Sequence, residues 1–322
     1  MPASSITLFY LSNAIHQLAQ TNKNNKTMSS LSGISYLSKL VKNLAKRKPK
    51  YLNSEKRASV CLILRLQENS NNSYNYNNDN NNSNNGIIDN NMYDLYDKNE
   101  KKIILDDNNF DHFNELECLF IKRAIIQQDP WSGQVALPGG KQEEQDNNSD
   151  YNTAVRETHE EIGIDLTNQD NFHYLGQLDD RQITGRGKVI KGFAMIPHIF
   201  LQTPGHTRPK VKREKAEVAG VRWVDVDIFN ENNIQWDLIQ RQNYKGFTYL
   251  FPSIDLPKEG DVTKTDHLNF HLWGLTFGVI SDLISLMGNP SINNQQYKQS
   301  NKDDNKEEPY SDAELKEIKN VT

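Results

Sequence analysis

The 322-residue chain has only two cysteines, Cys61 and Cys118, too few for a disulfide scaffold. Both lie in apolar, strand-like runs, ASVCLILRL and ECLFI, and are expected as reduced core residues of an intracellular protein. No Cys/His spacing typical of a structural zinc site occurs. Long apolar runs are missing as well: the best candidate, residues 272–287, is too short to span a bilayer and carries Asp282. There is no basic surplus either. A formal charge of -5 argues against a surface that coats nucleic acid, and no nucleic-acid partner is expected. Acidic residues are absent up to Asn53, against Lys23, Lys26, Lys39, Lys42, Lys46, Arg47, Lys48 and Lys50. That asymmetry resembles an organellar transit segment, although Arg is lacking before position 47; a cytoplasmic location is the first expectation and a mitochondrial one the second.

Hydrophobic residues make up 36% of the chain, which is low, and the deficit is local. From Glu68 to about Asn91 the chain is mostly Asn, Ser and Tyr, a composition that buries too little surface to offset the entropy of ordering. This tract separates two strand-like runs, 58–66 and 117–121. The simplest arrangement is a hairpin with an Asn-rich insertion at about 68–113, because long surface loops cost little extra to close. The expected organisation is a mobile segment 1–33, one domain over 34–288 and a disordered polar tail 289–322.

Within the domain, Ile34, Leu37, Val41 and Leu44 follow helical spacing. Residues 172–178, 193–201, 218–224 and 247–251 read as strands, and Asp225 starts a short helix to about Phe229. A closing helix over 273–287 presents Leu272, Leu275, Val279, Leu283 and Leu286 on one face. Residues 179–188 are expected as a polar loop whose Arg181, Arg186 and Lys188 could meet phosphate. His267 and His271 lie four apart with no third ligand in view, so they are expected to pack or hydrogen-bond.

The chemistry concentrates in residues 137–164, LPGGKQEEQDNNSDYNTAVRETHEEIGI. Gly139 and Gly140 mark a tight turn where backbone must approach something closely. Ser149 or Asp150 can cap the helix that follows, and Gly163 stands where its C-terminus needs a positive φ. Glu157, Glu160 and Glu161 are spaced three and four apart, as neighbours on a helix, and such like charges repel unless a cation lies between them. Hard divalent cations, Mg²⁺ or Mn²⁺, suit carboxylate donors and substrate phosphates. A solvated acidic face would explain the glutamates but not the glycine turn.

Arg156, Glu157, Glu160, Glu161 and Gly163 after the glycine pair match the Arg-Glu-x-x-Glu-Glu-x-Gly core of the Nudix box, and the segment resembles that of the Nudix hydrolases. The resemblance implies an α/β fold, the Nudix-type α/β/α sandwich with a mixed sheet. It implies metal-dependent hydrolysis of a small-molecule diphosphate, with Mg²⁺ or Mn²⁺ on Glu157, Glu160 and Glu161. It also implies catalytic roles for Glu160, Arg156 and Glu217, with Glu214 a second candidate beside Glu217. The loop before the helix departs from the family pattern: it is longer and offers Gln145, Asp146 and Asn148 where a Glu is usual. Asp146 and Asp150 are the candidate partners of Arg156. Arg123 and residues 133–140, GQVALPGG, are similar to a motif of the coenzyme A diphosphatase-like subfamily, whereas Asp129 and Trp131 are not. The similarity implies that Arg123, Gly139 and Gly140 bind the substrate, coenzyme A or an acyl coenzyme A. Nucleotide sugars, dinucleotides and oxidised nucleotides are alternatives within the same chemistry. A non-catalytic module binding a nucleotide or a protein is the alternative outside it.

Overall fold

The structure is a computed structural model that describes residues 33–68, 93–96, 102–105, 113–127, 129, 131–185, 188–203, 209–230, 233–242, 248–258, 263 and 267–289. The expected mobile N-terminal segment, most of the Asn-rich tract and the polar tail lie outside the described residues.

The run ASVCLILRL alternates two sets of apolar side chains, and the fold separates them. It forms the centre of β1 (Lys56–Glu68), where Leu62, Leu64 and Leu66 enter one core and Cys61 and Ile63 the other. The second run lies in β4 (Phe113–Arg123) and divides the same way, Cys118 and Phe120 against Leu119 and Ile121. β1 and β4 pair antiparallel through Leu64↔Cys118 and Leu66↔Leu116, as a hairpin would. A sheet buried on both faces needs helices on both. On the first face lie α1 (Gly33–Lys46), burying Tyr36, Leu37, Leu40 and Val41, and the closing helix α3 (Gly274–Leu286), burying Phe277, Val279, Ile280, Leu283 and Ile284. On the second face lies α2 (Asp150–Ile162), which contributes Ala154 and Ile162.

The strand order is β10 (Val218–Asp225), β4, β1, β9 (Lys188–Gln202) and β7 (Phe172–Gln177). Short strands add to it: β5 (Val135–Ala136) on β4, β6 (Gly139–Lys141) on β1 and β8 (Arg181–Gly185) on β9. β1 and β9 run parallel while the other pairs are antiparallel, so the sheet is mixed and the architecture is the expected α/β/α sandwich. A separate sheet is formed by β11 (Asp237–Gln242), β12 (Thr248–Asp255) and β13 (His271–Leu272), and β2 (Tyr93–Tyr96) pairs with β3 (Lys102–Leu105).

Two expectations change, and a strand escapes the sequence reading. The supposed polar loop 179–188 contains β8, whose arginine and glutamine hide a strand period and which pairs with the start of β9. DLIQRQ escapes a hydrophobic reading because most of its residues are polar, yet it is β11. The helix after Asp225 is a single 3₁₀ turn, Val226–Phe229, capped by the Asp225 carboxylate accepting from Asp227 N–H. Cys61 and Cys118 are both free and buried, and burial pushes the Cys61 thiol up to about 12, so neither is a poised nucleophile. No helix among the described residues is long and apolar enough to cross a membrane.

Candidate active site

The glycine turn is built into the sheet. Gly139 and Gly140 in β6 pair with Val60 and Ser59 of β1, and Cys61 N–H donates to the Pro138 carbonyl at 2.8 Å. Gly139 has φ +145°, and a Cβ there would come within 2.1 Å of the Ser59 carbonyl oxygen. At Gly140 a Cβ would instead meet the Glu157 carboxylate at 2.4 Å. The paired glycines thus serve different ends, one for strand packing and one for a side chain on α2. Gly139→Ala is expected to lower stability by more than about 1 kcal/mol in urea denaturation. Gly140→Ala should melt like the parent but weaken Mn²⁺ binding by on the order of 100-fold in calorimetric titration, because only the mobile end of Glu157 has to move.

Ser149 is the N-cap of α2, its side chain accepting from Asn152 N–H at 3.2 Å, and Gly163 ends the helix at φ +71°. The loop before it closes through Asn147 and Asn148, both at positive φ, a conformation asparagine tolerates better than most residues. Asp146 is thereby turned inward. Its carboxylate takes a bidentate pair from Arg156, Nε to Oδ1 at 2.8 Å and Nη2 to Oδ2 at 2.9 Å, with further donors from Thr153 Oγ1 and Glu143 N–H. The Arg156 guanidinium holds Asp146 well below the usual range, at about 2. Asp146 is therefore the partner of Arg156. Asp150 belongs to Arg57, Nε to Oδ1 at 2.8 Å, and Arg57 also reaches Asp180 at 3.0 Å. Nothing local in the sequence points to Arg57, which lies in β1, far from the box.

The three box glutamates go three ways. Glu161 is 2% exposed and accepts from Gly139 N–H at 2.8 Å; burial raises its pKa to about 8. Glu157 is also raised by burial, against the pull of Arg156 Nη1 at 3.1 Å. Glu160, with 52% of its side chain exposed, pairs with Arg156 Nη1 at 2.8 Å. Helical spacing alone places all three together, but the Gly139 amide draws one inward and Arg156 draws another out. Among the described residues no three His, Cys, Asp or Glu side chains are set to ligate one ion. Glu217, from the turn before β10, acts instead on the inner pair and raises both Glu157 and Glu161. Arg123 at the end of β4 has the opposite effect on Glu161 and is itself held by Asp129 at 3.0 Å. Arg181 does not reach the site: it pairs with Asp282 and the Gly278 carbonyl on α3. Arg186 and the Lys188 side chain lie outside the described residues. The Glu214 side chain accepts from Ala216 N–H within its own turn. His271 Nδ1 lies 3.5 Å from an Asp237 carboxylate oxygen within the separate sheet.

The oxygen donors of Glu157 and Glu161, both raised by burial and further by Glu217, fit a hard divalent cation. Over residues 104–244 the chain matches the NUDIX domain model. The chain carries a Nudix domain. The chain is also 36% identical over 105 residues to the "Uncharacterized protein C14C4.10c" of Schizosaccharomyces pombe, covering 33% of this chain and 30% of that protein. The match thus spans under a third of the curated relative's length. Solved structures similar to the chain include the Nudix hydrolase RenU of M. smegmatis, at 14% identity over 53% of this chain and 71% of that one, TM-score 0.30. Another is the Nudix domain of Shewanella oneidensis NrtR complexed with ADP ribose, at 14% identity over 58% and 83%, TM-score 0.31. At these scores neither likeness adds to the reading of the Nudix domain, which rests on the family match and on the box geometry.

Proposed function

We propose that the Nudix domain hydrolyses a diphosphate linkage in a nucleoside diphosphate derivative, coenzyme A or an acyl coenzyme A being the substrate the 133–140 motif favours. The observation that carries this reading is the buried Glu161 carboxylate on the Gly139 amide, with Glu157 over Gly140 and Glu217 in electrostatic reach. Glu157 and Glu161, with Glu217 and with Glu160 at the rim, are the residues that would hold Mg²⁺ or Mn²⁺. A divalent cation held there would supply charge neutralisation for the diphosphate and would acidify the attacking water. Arg156 orients the glutamates through Asp146, and its Nη1 holds Glu160 and Glu157. Glu217 or Glu160 takes the water's proton on a carboxylate oxygen. Gly139 holds Glu161 through its amide and Gly140 leaves room for the Glu157 carboxylate, while Arg123 adds positive charge in electrostatic reach of Glu161.

The outward turn of Glu160 favours a second reading, a nucleotide-binding module without turnover. One experiment separates the two. The purified chain is incubated with Mg²⁺ or Mn²⁺ and coenzyme A, acyl coenzyme A, NADH, ADP-ribose, UDP-sugars and nucleoside triphosphates, and the products are identified. Release of a 4′-phosphopantetheine species, lost in Glu160→Gln at an unchanged melting temperature, is the expected result. Inorganic pyrophosphate from the triphosphates would overturn the choice of substrate, and full activity in Glu160→Gln the assignment of roles. Tight binding with no product from any of them would establish the module.

A further inference from the structure

Among the charged residues of the stretch 210–215, one differs from the rest. Lys210, Lys212 and Lys215 are exposed, whereas Arg213 is half-buried. The stretch is stitched to the end of α2, Lys212 N–H donating to the Ile162 carbonyl at 2.9 Å and Glu214 N–H to the Glu161 carbonyl at 2.8 Å. These bonds serve carbonyls that a helix end leaves without intrahelical donors. Beyond them the chain turns: Glu217 N–H and Val218 N–H both donate to the Glu214 carbonyl, and Ala124 N–H donates to the Glu217 carbonyl at 2.7 Å.

The next step is irregular. β10 pairs with β4 at Val218↔Arg123 and then at Gly220↔Lys122, which leaves Ala219 as the extra residue of a bulge. The side-chain pattern agrees, since Val218, Val221 and Trp223 all enter the core beneath α2 although a regular strand would put Val218 on the other face from Val221. An extra residue leaves the local ladder disrupted, and its carbonyl needs another donor. Arg213 supplies one, Nη1 donating to the Val218 carbonyl at 3.2 Å and to the Ala219 carbonyl. A single guanidinium nitrogen carries two hydrogens and serves both.

We propose that Arg213 is a positioning residue for Glu217, its guanidinium bridging the Val218 and Ala219 carbonyls and so holding the bulge that fixes the turn carrying Glu217, which is bonded to the Glu161 carbonyl. The inference rests on the cation site proposed above.

The test is calorimetric Mn²⁺ binding to the full chain and its variants, with thermal melts alongside. Arg213→Met keeps an apolar stem and removes the donors; it is expected to weaken Mn²⁺ binding about tenfold, the scale of an outer residue that orients a ligand. If Arg213 acts through Glu217, Arg213→Met combined with Glu217→Gln binds no more weakly than Glu217→Gln alone. Arg213→Lys, which retains a donor, is expected to stay within about threefold of the parent. Arg213→Leu, which also lacks donors, serves the same cycle if Arg213→Met melts below the assay temperature. Parental affinity in Arg213→Met, a double variant whose loss is the product of the two single losses, or no recovery in Arg213→Lys would each overturn the role of Arg213. Absence of Mn²⁺ binding by the parent chain would overturn the cation site and this inference with it. Binding lost in Glu157→Gln but intact in Arg213→Met would overturn the inference alone.

Discussion

Glu161→Gln is expected to cut diphosphate hydrolysis by roughly a thousandfold, several kcal/mol of transition-state stabilisation, while making the metal-free protein more stable at alkaline pH. The two effects have one cause. Burial raises the Glu161 carboxyl from 4.5 to about 8, so the folded chain prefers it protonated. A carboxyl raised on folding contributes its full stability below the unfolded value, and that contribution is lost as pH climbs through the folded one. Here the window runs from 4.5 to about 8. Glutamine can still accept from the Gly139 amide but cannot ionise. Without metal, the variant should melt several degrees above the parent at pH 8 or higher, the gap closing toward pH 4.5. Excess Mn²⁺ should reverse the order by stabilising the parent alone. Equal melting temperatures at pH 8 without metal would show that Glu161 is not desolvated, and parental turnover would remove it from the reaction.

Asp146→Ala should be the most damaging of the single changes outside the glycine turn. Asp146 is 2% exposed and carries two parallel bonds from Arg156, so its loss leaves a cation with its best partner gone, at a cost of about 3 kcal/mol. Turnover should fall too, because Arg156 Nη1 holds both Glu157 and Glu160 and would be free to move. The pH dependence has the opposite sign to that of Glu161. Asp146 is depressed from 3.8 to about 2, so its contribution, on the order of 2 kcal/mol, is present above 3.8 and lost as pH falls toward 2. Urea titrations of the parent and of Asp146→Asn should therefore converge across that acid interval. Parallel curves would separate Asp146 from the clamp.

How much of this was legible beforehand follows the range of the interactions. The box helix, its Ser149 cap and its Gly163 terminus are set within a few residues, and the sequence reading placed the helix and its terminus and narrowed the cap to Ser149 or Asp150. Alternating apolar runs located β1, β4, β9 and β10 for the same reason. Local pattern could not choose between Asp146 and Asp150 for Arg156, because that choice depends on Arg57, which binds Asp150 from a strand 93 residues away. Nor could it foresee the divergence of Glu160 and Glu161. Their spacing on the helix is symmetric enough, and only the amide of Gly139 on one side and Arg156 on the other distinguish them. Arg213 was visible only as one charge among several, since the bulge it serves exists only once β10 is laid against β4.

The place of β1 in the sheet bears on how this protein could be dissected. It is flanked by β4 and β9, yet it precedes residue 104, where the family match begins. A fragment trimmed to 104–244 would leave a slot in the middle of its sheet, deprive Gly139 and Gly140 of the strand they lie on, and take Arg57 from the start of the box helix. Topology also sets the order of assembly: β1 must wait for β9 to be synthesised before its parallel edge is covered, so the glycine bend gains its full support late in folding.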